Sequence, residues 1–437
     1  MVTLTLHSYN ATGSNFIHLR LTAPMRTQFH SVGSDSLGRY YTNAVVSQAL
    51  VADIPSHAPT TVLDLGCGTG SLSFAASRRW AHTNIVTVDI DRTIAAVLPE
   101  KLRESGFAGE HHHMMYDALS PKLTDSLIRE QAQPDIAVCN PPFLIPKWKK
   151  GYGAILEDVG LTSCLPAIAT IDAALVFLAQ NLRLLQPGGI LGIIVPDSIV
   201  SADKYRNFRS ELLSRYQVRS AIRLCRGSFG GTDALAHILV IKNSAPDGSP
   251  IVLSSLDESG AKSPSLFVEH SQAAHRLDYQ FHFAEARVEK QSGRLADVVL
   301  DLRRGSLNSA EAKGANHFVL HTTNLDSDNH GQWLDFSAKY FRFPTSNNGR
   351  IVHAVAGDIV VARVGRTAHD KVIGISAGSV ALTDCLYRLR VIPSKRDAVL
   401  RVLSSPEGRA WLELHAYGVA ARQLTKSDLL NLPLHTL

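Results

Sequence analysis

The segment from residue 60 to 243 alternates short apolar runs with helical patterns, and this alternation limits the possible folds more than any other feature. Runs rich in Val, Ile and Leu predict strands at 61–65, 85–89, 112–117, 135–139, 190–195, 218–224 and 237–242. Helical patterns lie between them at 71–79, 93–105, 167–185 and 204–213. Near-continuous apolar strands separated by helices are typical of parallel sheets covered on both faces. We therefore predict an α/β fold with a mostly parallel, seven-stranded sheet.

The composition of the chain changes after residue 243. The stretches SAPDGSP and ESGAKSPS are rich in Ser, Pro and Gly, which predicts a boundary or a loop-rich linker over 246–290. From about residue 293, strand-like pieces (HFVLHTTNL, GDIVVARVG and CLYRLRVI) are broken by Gly and Asn, and helical pieces follow near 397–416 and 427–430. This pattern predicts a smaller C-terminal α+β domain.

Composition narrows the class of protein. The 437 residues are 45% hydrophobic and 19% charged, which is usual for a globular chain of two or three domains. No apolar run reaches the roughly 18–20 residues of a membrane span, and the first residues do not resemble a secretion signal, so we expect a cytoplasmic protein with no membrane partner. The five cysteines form no CxxC pair, and three adjacent histidines (111–113) cannot point to one ion along a strand, so we expect no metal.

The positive charge of the chain is unevenly placed. Residues 291–437 hold 18 Lys and Arg against 13 Asp and Glu, so the whole net charge of +5 lies in this last third. Solvated surface is the ordinary explanation of any single charge. The asymmetry between the two parts nevertheless indicates an anionic partner for the C-terminal region.

A glycine-rich turn follows the first predicted strand in VLDLGCGTGSL, residues 62–72. Gly66, Gly68 and Gly70 stand between a strand and a helix, where a backbone without side chains can approach a ligand closely. The spacing is GxGxG and not the GxGxxG of dinucleotide folds, and a purely structural turn remains an alternative. Asp89 ends the second strand, where an acid can accept both hydroxyls of a ribose. Asp117 ends the third strand and can accept a hydrogen bond from an amino group; a surface acid is the alternative.

These features carry a family resemblance. DLGCGTG, Asp89, Asp117 and the later NPPF (140–143) resemble the S-adenosylmethionine-dependent methyltransferases, and among them the enzymes that methylate N6 of adenine in DNA. LGRYYTN (37–43) resembles that family's G-x-[FY]-[FY]-T-P element, which packs on the methionine part of the cofactor, but it has Asn43 where proline is usual. The order of the elements is that of the gamma class. The resemblance implies a Rossmann-like domain that binds S-adenosylmethionine through Tyr41, Thr42, Asp64, Gly66, Gly68, Gly70, Asp89 and Asp117.

NPPF has a chemical rationale beside the resemblance. An aromatic amine is a weak nucleophile because its lone pair is delocalised into the ring. The side-chain carbonyl of Asn140 and the backbone carbonyl of Pro141 can accept from its two N–H groups and favour a pyramidal nitrogen. Pro141 and Pro142 stiffen the loop, and Phe143 offers a face for stacking a base that has been flipped out of the duplex. A strand-ending turn is the alternative.

Two neighbouring features extend this site. The segment CRGSFGGTDALAHILVIKN resembles the family element whose aromatic ring packs on the other face of the flipped base, and Phe229 is the matching position; core packing is the alternative. The run KWKK, which contains Lys147 and Lys149, follows NPPF closely and can contact phosphates. A solvated loop explains this run equally well.

The C-terminal third carries a second resemblance. HRLDYQFH (275–282), GDIVVARVGRTAHDKVIG (357–374) and LTKSDLLNLPL (424–434) resemble the target recognition domains of type I restriction specificity subunits. The resemblance implies a DNA-binding region with one recognition domain, where specificity subunits usually carry two. The basic side chains in it that we expect to contact DNA are Arg303, Arg304, Arg363, Arg366 and Lys371.

Together these features predict a site-specific adenine-N6 DNA methyltransferase fused to its own recognition domain. The expected domains are an N-terminal extension (1–34), a methyltransferase domain (35–245), a linker (246–290) and a target recognition domain (291–437). Expected partners are double-stranded DNA and a separate restriction or defence subunit, since the chain has no P-loop and no convincing nuclease motif. Two alternatives stay open: an rRNA guanine-N2 methyltransferase, and a DNA-binding defence subunit whose methylation is conditional.

Overall fold

The computed structural model describes most of the chain in eight stretches. They are residues 42–55, 58–129, 133–166, 171–229, 234–286, 293–339, 351–417 and 422–434. Tyr41 and most of the LGRYYTN element lie outside these described residues. The N-terminal extension predicted for residues 1–34 also lies outside them.

A nine-stranded sheet organises the first part of the described chain. Its strands are β1 (Thr61–Leu65), β2 (Asn84–Asp89), β3 (His111–Met115), β4 (Ile136–Cys139), β5 (Ile190–Pro196), β6 (Gln217–Arg223), β7 (Ala236–Lys242), β8 (Ile251–Ser255) and β9 (Leu266–Val268). They lie in the order β3-β2-β1-β4-β5-β7-β6-β8-β9. The first five in this order are parallel, β7 runs antiparallel to both β5 and β6, and β9 runs antiparallel to β8. The carboxyl ends of β1, β4, β5 and β6 therefore meet at one edge.

The α/β class agrees with the sequence prediction, but the predicted number of seven strands is wrong. The sheet is mixed, because β7 and β9 are antiparallel, and it is longer, because β8 pairs with β6 and β9 pairs with β8. Both added strands lie in the segment 246–290 that was predicted to be a linker. They are short and are flanked by Pro, Gly and Ser, and that flanking composition concealed them. The domain boundaries themselves stay a prediction.

Helices cover the faces of this sheet. They are α1 (Ala44–Asp53), α2 (Ser71–Arg79), α3 (Arg92–Glu104), α4 (Leu123–Arg129), α5 (Lys150–Asp158), α6 (Ala173–Leu184), α7 (Asp197–Ser201), α8 (Arg206–Arg215), α9 (His270–His275) and α10 (Tyr279–Glu285). Helix α6 begins later than the predicted residue 167, because the side chain of Asp172 caps it by accepting from the backbone N–H of Ala174. Residues 167–170 lie outside the described part of the chain.

A second, smaller sheet forms the C-terminal part. Its strands are β11 (Val299–Arg304), β12 (Val319–Leu320), β13 (Trp333–Phe336), β14 (His353–Val355), β15 (Asp358–Ala362), β16 (Val372–Leu382) and β17 (Leu386–Val391). A separate pair joins β10 (Gly293–Arg294) to β18 (Pro433–Leu434). The helices of this part are α11 (Ser309–Lys313), α12 (Arg396–Ser404), α13 (Pro406–His415) and α14 (Lys426–Leu430). The α+β pattern agrees with the sequence prediction, although only two residues of HFVLHTTNL are extended strand.

Each sheet has apolar clusters on both faces, as its alternating side chains require. Leu63 and Leu65 of β1 join one cluster of the first sheet, and Val62 joins the opposite one. Ile359 and Val360 likewise face opposite clusters of the second sheet. Among the helices in the described ranges, none combines the length and apolar character that a bilayer crossing needs.

Candidate active site

The glycine turn lies between β1 and α2, as the sequence predicts. Gly66 and Gly70 have φ values of +75° and +83°, a region that residues with a Cβ rarely adopt. A Cβ on Gly70 would come within 2.2 Å of the Leu98 side chain, so a larger residue at this position would also require that side chain to shift. A Cβ on Gly68 would meet nothing within 4 Å, because the turn opens there into a cleft.

Asp89, at the end of the neighbouring strand β2, is hydrogen-bonded to this turn. One of its carboxylate oxygens accepts from the backbone N–H of Gly68 at 2.8 Å, and the other accepts from the N–H of Asp91 at 2.9 Å. The side chain is buried but borders the cleft. Asp91 caps α3 by accepting from the backbone N–H of Thr93. The acid at the end of β2 therefore holds the glycine turn in shape while it faces the ligand side.

Asp64 lies beneath the turn and is almost fully buried. Its Oδ2 atom accepts from the N–H and the hydroxyl of Ser73, at 3.1 and 2.6 Å. Its Oδ1 atom is buried and has no hydrogen-bond partner among the described residues. The pKa of Asp64 is raised to about 7: burial raises it most, the bonds from Ser73 oppose this, and the negative charge of Asp89 adds to the increase. A buried acceptor without a donor, on the wall of a cleft, suits a cationic ligand group.

Asp117 stands at the far end of the cleft, just beyond β3. It accepts from the N–H of Leu119 at 3.0 Å and forms an ion pair with Lys149, with 2.9 Å between Nζ and Oδ2. This contact raises the pKa of Lys149, first through the hydrogen bond and then through the charge of Asp117. Lys149, a candidate phosphate contact in the sequence, therefore lies against the candidate adenine acceptor.

Asn140 is held in place directly after β4. Its side-chain nitrogen donates to the hydroxyl of Thr42 at 2.8 Å, across 98 residues of sequence. Since the amide nitrogen points toward Thr42, the amide oxygen is turned the other way. Thr42 is itself buried and forms a β-bridge with Phe229. The segment around Thr42 and the segment around Phe229 therefore both support the NPPF loop.

The aromatic residues of the site differ from expectation. Phe143 and Phe229 were predicted to stack on opposite faces of one base, but their rings touch each other edge to face, with centroids 5.8 Å apart and planes at 73°. Phe229 is almost completely buried, as the core-packing alternative requires, while Phe143 is partly exposed. Pro142 lines the cleft, and Pro141 is buried beside it. In this arrangement the two rings do not form a slot.

These residues enclose one cleft with a volume of about 210 Å³. Its walls include Thr42, Asp64, Gly66, Gly68, Asp89, Asp117, Asn140, Pro142 and Phe177. A more open cavity of about 630 Å³ adjoins it and shares Ile90, Asp117 and Leu119 with it. The cleft lies at the carboxyl ends of the parallel strands, where open α/β sheets bind ligands. A ligand larger than the first cleft could extend past Asp117 into the second.

Sequence reasoning missed several contributors to this site. Ser73 and Phe177 lie within apolar or small-residue stretches of α2 and α6, which resemble ordinary core. The hydrogen bonds from Asn140 to Thr42 and from Lys149 to Asp117 join segments that are distant in sequence, so no local pattern predicts them. Each of these features follows from the packing of the sheet rather than from a motif.

The predicted DNA-contacting residues fall into two groups. Lys147 and Arg366 are exposed, and Arg303 is also exposed although it pairs with Asp301 at 3.2 Å. Lys149 pairs with Asp117, and the remaining three donate to the C-terminal part itself: Arg304, which is also exposed, to the carboxylate of Asp384, Arg363 to the backbone carbonyl of Asp384, and Lys371 to the backbone carbonyl of Thr322.

The histidine run and other possible metal ligands do not assemble into a site within the described residues. There, no group of three His, Cys, Asp or Glu side chains could hold a metal ion. The rings of His111 and His113 instead both contact the hydroxyl of Thr87, each at 2.9 Å. The pKa of His111 is lowered to about 4, mainly by burial and also by the nearby His113 and His112.

Comparison with known proteins connects this geometry to a family. Residues 25–292 match the family model described as N-6 DNA Methylase. A tRNA1(Val) (adenine(37)-N6)-methyltransferase of Vibrio cholerae is 27% identical over 142 residues, which are 32% of this chain and 52% of that protein. The Type II methyltransferase M.BsuBI of Bacillus subtilis is 25% identical over 198 residues, which are 42% of this chain and 38% of that protein.

Among solved structures, the type IIG restriction endonuclease BpuSI has 13% identity and a TM-score of 0.49, and the match covers 90% of this chain and 57% of that one. The chain thus spans about half or less of the length of these two curated relatives and somewhat more than half of this structure.

Proposed function

This chain belongs to the N-6 DNA methylase family, and on that premise we propose that it transfers a methyl group from S-adenosylmethionine to N6 of an adenine in DNA. One observation carries the proposal: the amide of Asn140, held by Thr42, stands at the end of β4 on the wall of the glycine cleft. An amide acceptor beside a cofactor cleft is what methylation of an exocyclic amine requires. The other residues of the cleft can then be assigned roles in binding the cofactor and the target base.

The described residues fit S-adenosylmethionine, which supplies an electrophilic methyl group on a sulfonium when it is bound. Asp64 supports this assignment most directly, because its buried Oδ1 acceptor without a partner suits the amino group of the methionine part. Gly66, Gly68 and Thr69 of the glycine turn line the same cleft. Asp89 would accept from the ribose hydroxyls, since each carboxylate oxygen can accept more than one hydrogen bond. Asp117 would accept from the adenine amino group of the cofactor.

The NPPF loop would act on the target base. The side-chain oxygen of Asn140 and the backbone oxygen of Pro141 accept from the two N–H groups of the adenine N6, and this draws the lone pair out of the ring. Pro141 and Pro142 hold these acceptors at fixed positions, so no side chain need remove a proton before transfer. Because a base in a duplex cannot enter the cleft, it must be flipped out.

The two aromatic rings would have different roles in binding that base. Phe143 is partly exposed and would offer its face to the flipped adenine. Phe229 is buried and touches Phe143 edge to face at 5.8 Å, so it would orient the Phe143 ring from behind. This assignment replaces the sandwich of two rings that the sequence suggested.

The C-terminal part would read the DNA sequence. Its net charge of +5 and the exposed Arg303 and Arg366 favour contacts with phosphate groups. In this proposal residues 291–437 are a target recognition domain fused to the methyltransferase, and Lys147 contacts DNA from the catalytic side. A separate restriction or defence subunit would complete such a system.

RNA is the second candidate substrate. The Vibrio cholerae relative is named as a tRNA adenine-N6 methyltransferase, and the acceptor geometry at Asn140 serves an adenine in either nucleic acid. The basic C-terminal part favours DNA only through the resemblance to recognition domains. The two substrates are therefore separated by experiment.

The test is a transfer assay with the full chain, labelled S-adenosylmethionine, and duplex DNA, tRNA or rRNA, followed by identification of the labelled nucleoside. We expect N6-methyladenine in DNA. Asn140→Ala should abolish transfer without weakening cofactor binding, whereas the exposed Asn84→Ala, at the start of β2 on the opposite edge of the sheet, should retain activity. Label in RNA alone, or transfer that survives Asn140→Ala, would contradict the proposal.

A further inference from the structure

A second polar cavity, of about 560 Å³, lies at the same edge of the large sheet as Asn140. Its walls come from the carboxyl ends of β5 and β6, from α10, and from the C-terminal part of the chain, including Glu413 of α13 and Arg422. The cavity thus lies between the methyltransferase sheet and the C-terminal part. A group bound there would contact both.

Arginines are crowded at one side of this cavity. Arg226 and Arg422 both donate to the same carboxylate oxygen of Glu413, at 3.2 and 3.4 Å. Burial lowers the pKa of Arg422 and the positive charges of Arg226 and Arg223 lower it further, while the negative charges of Asp197 and Glu413 oppose this. Glu413 therefore pairs with two of the three arginines on this side of the cavity, which we call the arginine cluster (Arg223, Arg226 and Arg422).

The other charged side chains on the cavity wall have hydrogen-bond or ion-pair partners of their own. Arg276 and Asp278 are both buried and form an ion pair at 2.6 Å. Asp197 is buried against His237, with 3.0 Å between Oδ1 and Nε2, and also accepts from the hydroxyl of Ser201. Three arginines against one glutamate leave an excess of positive charge at the arginine cluster.

We propose that the arginine cluster binds one phosphate group of the DNA strand that carries the target adenine, an inference that rests on the proposed function. A phosphodiester presents two non-bridging oxygens that share one negative charge, and the planar guanidinium group matches them with paired N–H donors. Arg422 is buried and gives the site a fixed donor, while Arg226 is half exposed and can turn from Glu413 toward the phosphate. Phosphate binding would relieve the repulsion within the cluster.

The position of the cluster gives this phosphate a role in catalysis. Arg226 lies three residues before Phe229, in a loop that is tied by a bond of 2.8 Å from the Ser228 hydroxyl to the carbonyl of Cys225. Phe229 contacts Phe143 of the NPPF loop. A phosphate seated at Arg226 is therefore only a short loop away from the rings beside the flipped base. The cluster would place the strand so that its adenine enters the cleft.

The experiment uses the full chain and duplexes in which one phosphate at a time is replaced by an uncharged methylphosphonate. For the wild type, one position near the target adenine should weaken binding about tenfold, because a charge-assisted hydrogen bond is lost. In the Arg226→Ala variant, the methylphosphonate at that position should weaken DNA binding little further. The salt dependence of binding in this variant should also fall by about one phosphate contact.

Two further variants separate a phosphate site from a structural role. Glu413→Gln removes the competing carboxylate charge while the backbone carbonyl of Glu413 still accepts from Arg422 at 3.0 Å, so DNA affinity should rise several-fold. Arg219→Ala removes an exposed cation from the same strand as Arg223, about 13 Å away, and should change neither affinity nor the methylphosphonate pattern.

Failure of the phosphate site and failure of the proposed function give different results in these experiments. If the wild type methylates DNA but no methylphosphonate effect is lost in Arg226→Ala, or if Glu413→Gln binds more weakly, the phosphate site is wrong and the methyltransferase proposal stands. Competition by inorganic phosphate without any position-specific effect would assign the cluster to a free anion and overturn the DNA contact. Absence of DNA binding by the wild type would overturn both.

Discussion

The ionisation of Asp64 gives the most quantitative prediction about the cofactor cleft. In the free protein the carboxyl group has a pKa raised to about 7 by burial, and its Oδ1 atom has no donor among the described residues. A cationic amino group placed against it favours the ionised carboxylate. Cofactor affinity should therefore increase as the pH rises through 7, because less free energy is then needed to remove the proton.

The size of the effect follows from that pKa. A carboxyl group with a pKa of about 7 is ionised to about one tenth at pH 6 and about nine tenths at pH 8. If only the ionised form binds the cofactor well, the dissociation constant should fall about tenfold over this range, which corresponds to about 1.4 kcal/mol. Asp64→Asn, which has a similar shape but no charge, should bind more weakly at pH 8 and show a nearly flat pH dependence.

Isothermal titration calorimetry of the full chain with S-adenosylmethionine measures this directly. Runs in buffers with different ionisation enthalpies should show proton release on binding at pH 6.5, and this release should be absent in Asp64→Asn. Wild-type affinity that does not change between pH 6 and 8 would refute the reasoning. So would an equal pH dependence in the two proteins, since the titrating group would then be another residue.

Three further substitutions test individual contacts. Thr42→Val removes the acceptor that orients Asn140 and should lower kcat about tenfold with a smaller effect on cofactor affinity, measured by steady-state kinetics. Lys149→Gln releases Asp117 and should tighten cofactor binding by up to about fivefold, because exposed ion pairs are weak; weaker binding would contradict this assignment. Arg209→Met leaves the carbonyls of Ile199, Ala202, Ala274 and His275 without their buried donor, and should lower the free energy of unfolding by about 3 kcal/mol or more in denaturant titrations.

Local sequence patterns were sufficient to predict the middle of the large sheet. The strands β1, β4 and β5 are short apolar runs bounded by turns, and the structure places them within one residue of prediction. The glycine turn also follows from a local rule, since a strand, spaced glycines and a helix occur in immediate succession. Such features depend on neighbouring residues and not on distant ones.

Edge strands and pairings between distant segments could not be predicted in this way. β8 and β9 are held by pairing with β6 and with each other, and the Pro-, Gly- and Ser-rich segments that flank them resemble a loop. The orientation of Asn140 depends on Thr42, and the placement of Lys149 depends on Asp117, each through a side chain from another part of the fold. The edge-to-face contact of Phe143 with Phe229 is likewise a result of three-dimensional packing.

Methylation-aware sequencing of DNA from cells that express this chain alone tests the central claim most directly. We expect N6-methyladenine at one recurring sequence motif, and we expect it to disappear when the Asn140→Ala variant is expressed at the same level. A chain that binds the cofactor but leaves no modified adenine motif would contradict this claim, as would an identical methylation pattern from the Asn140→Ala variant.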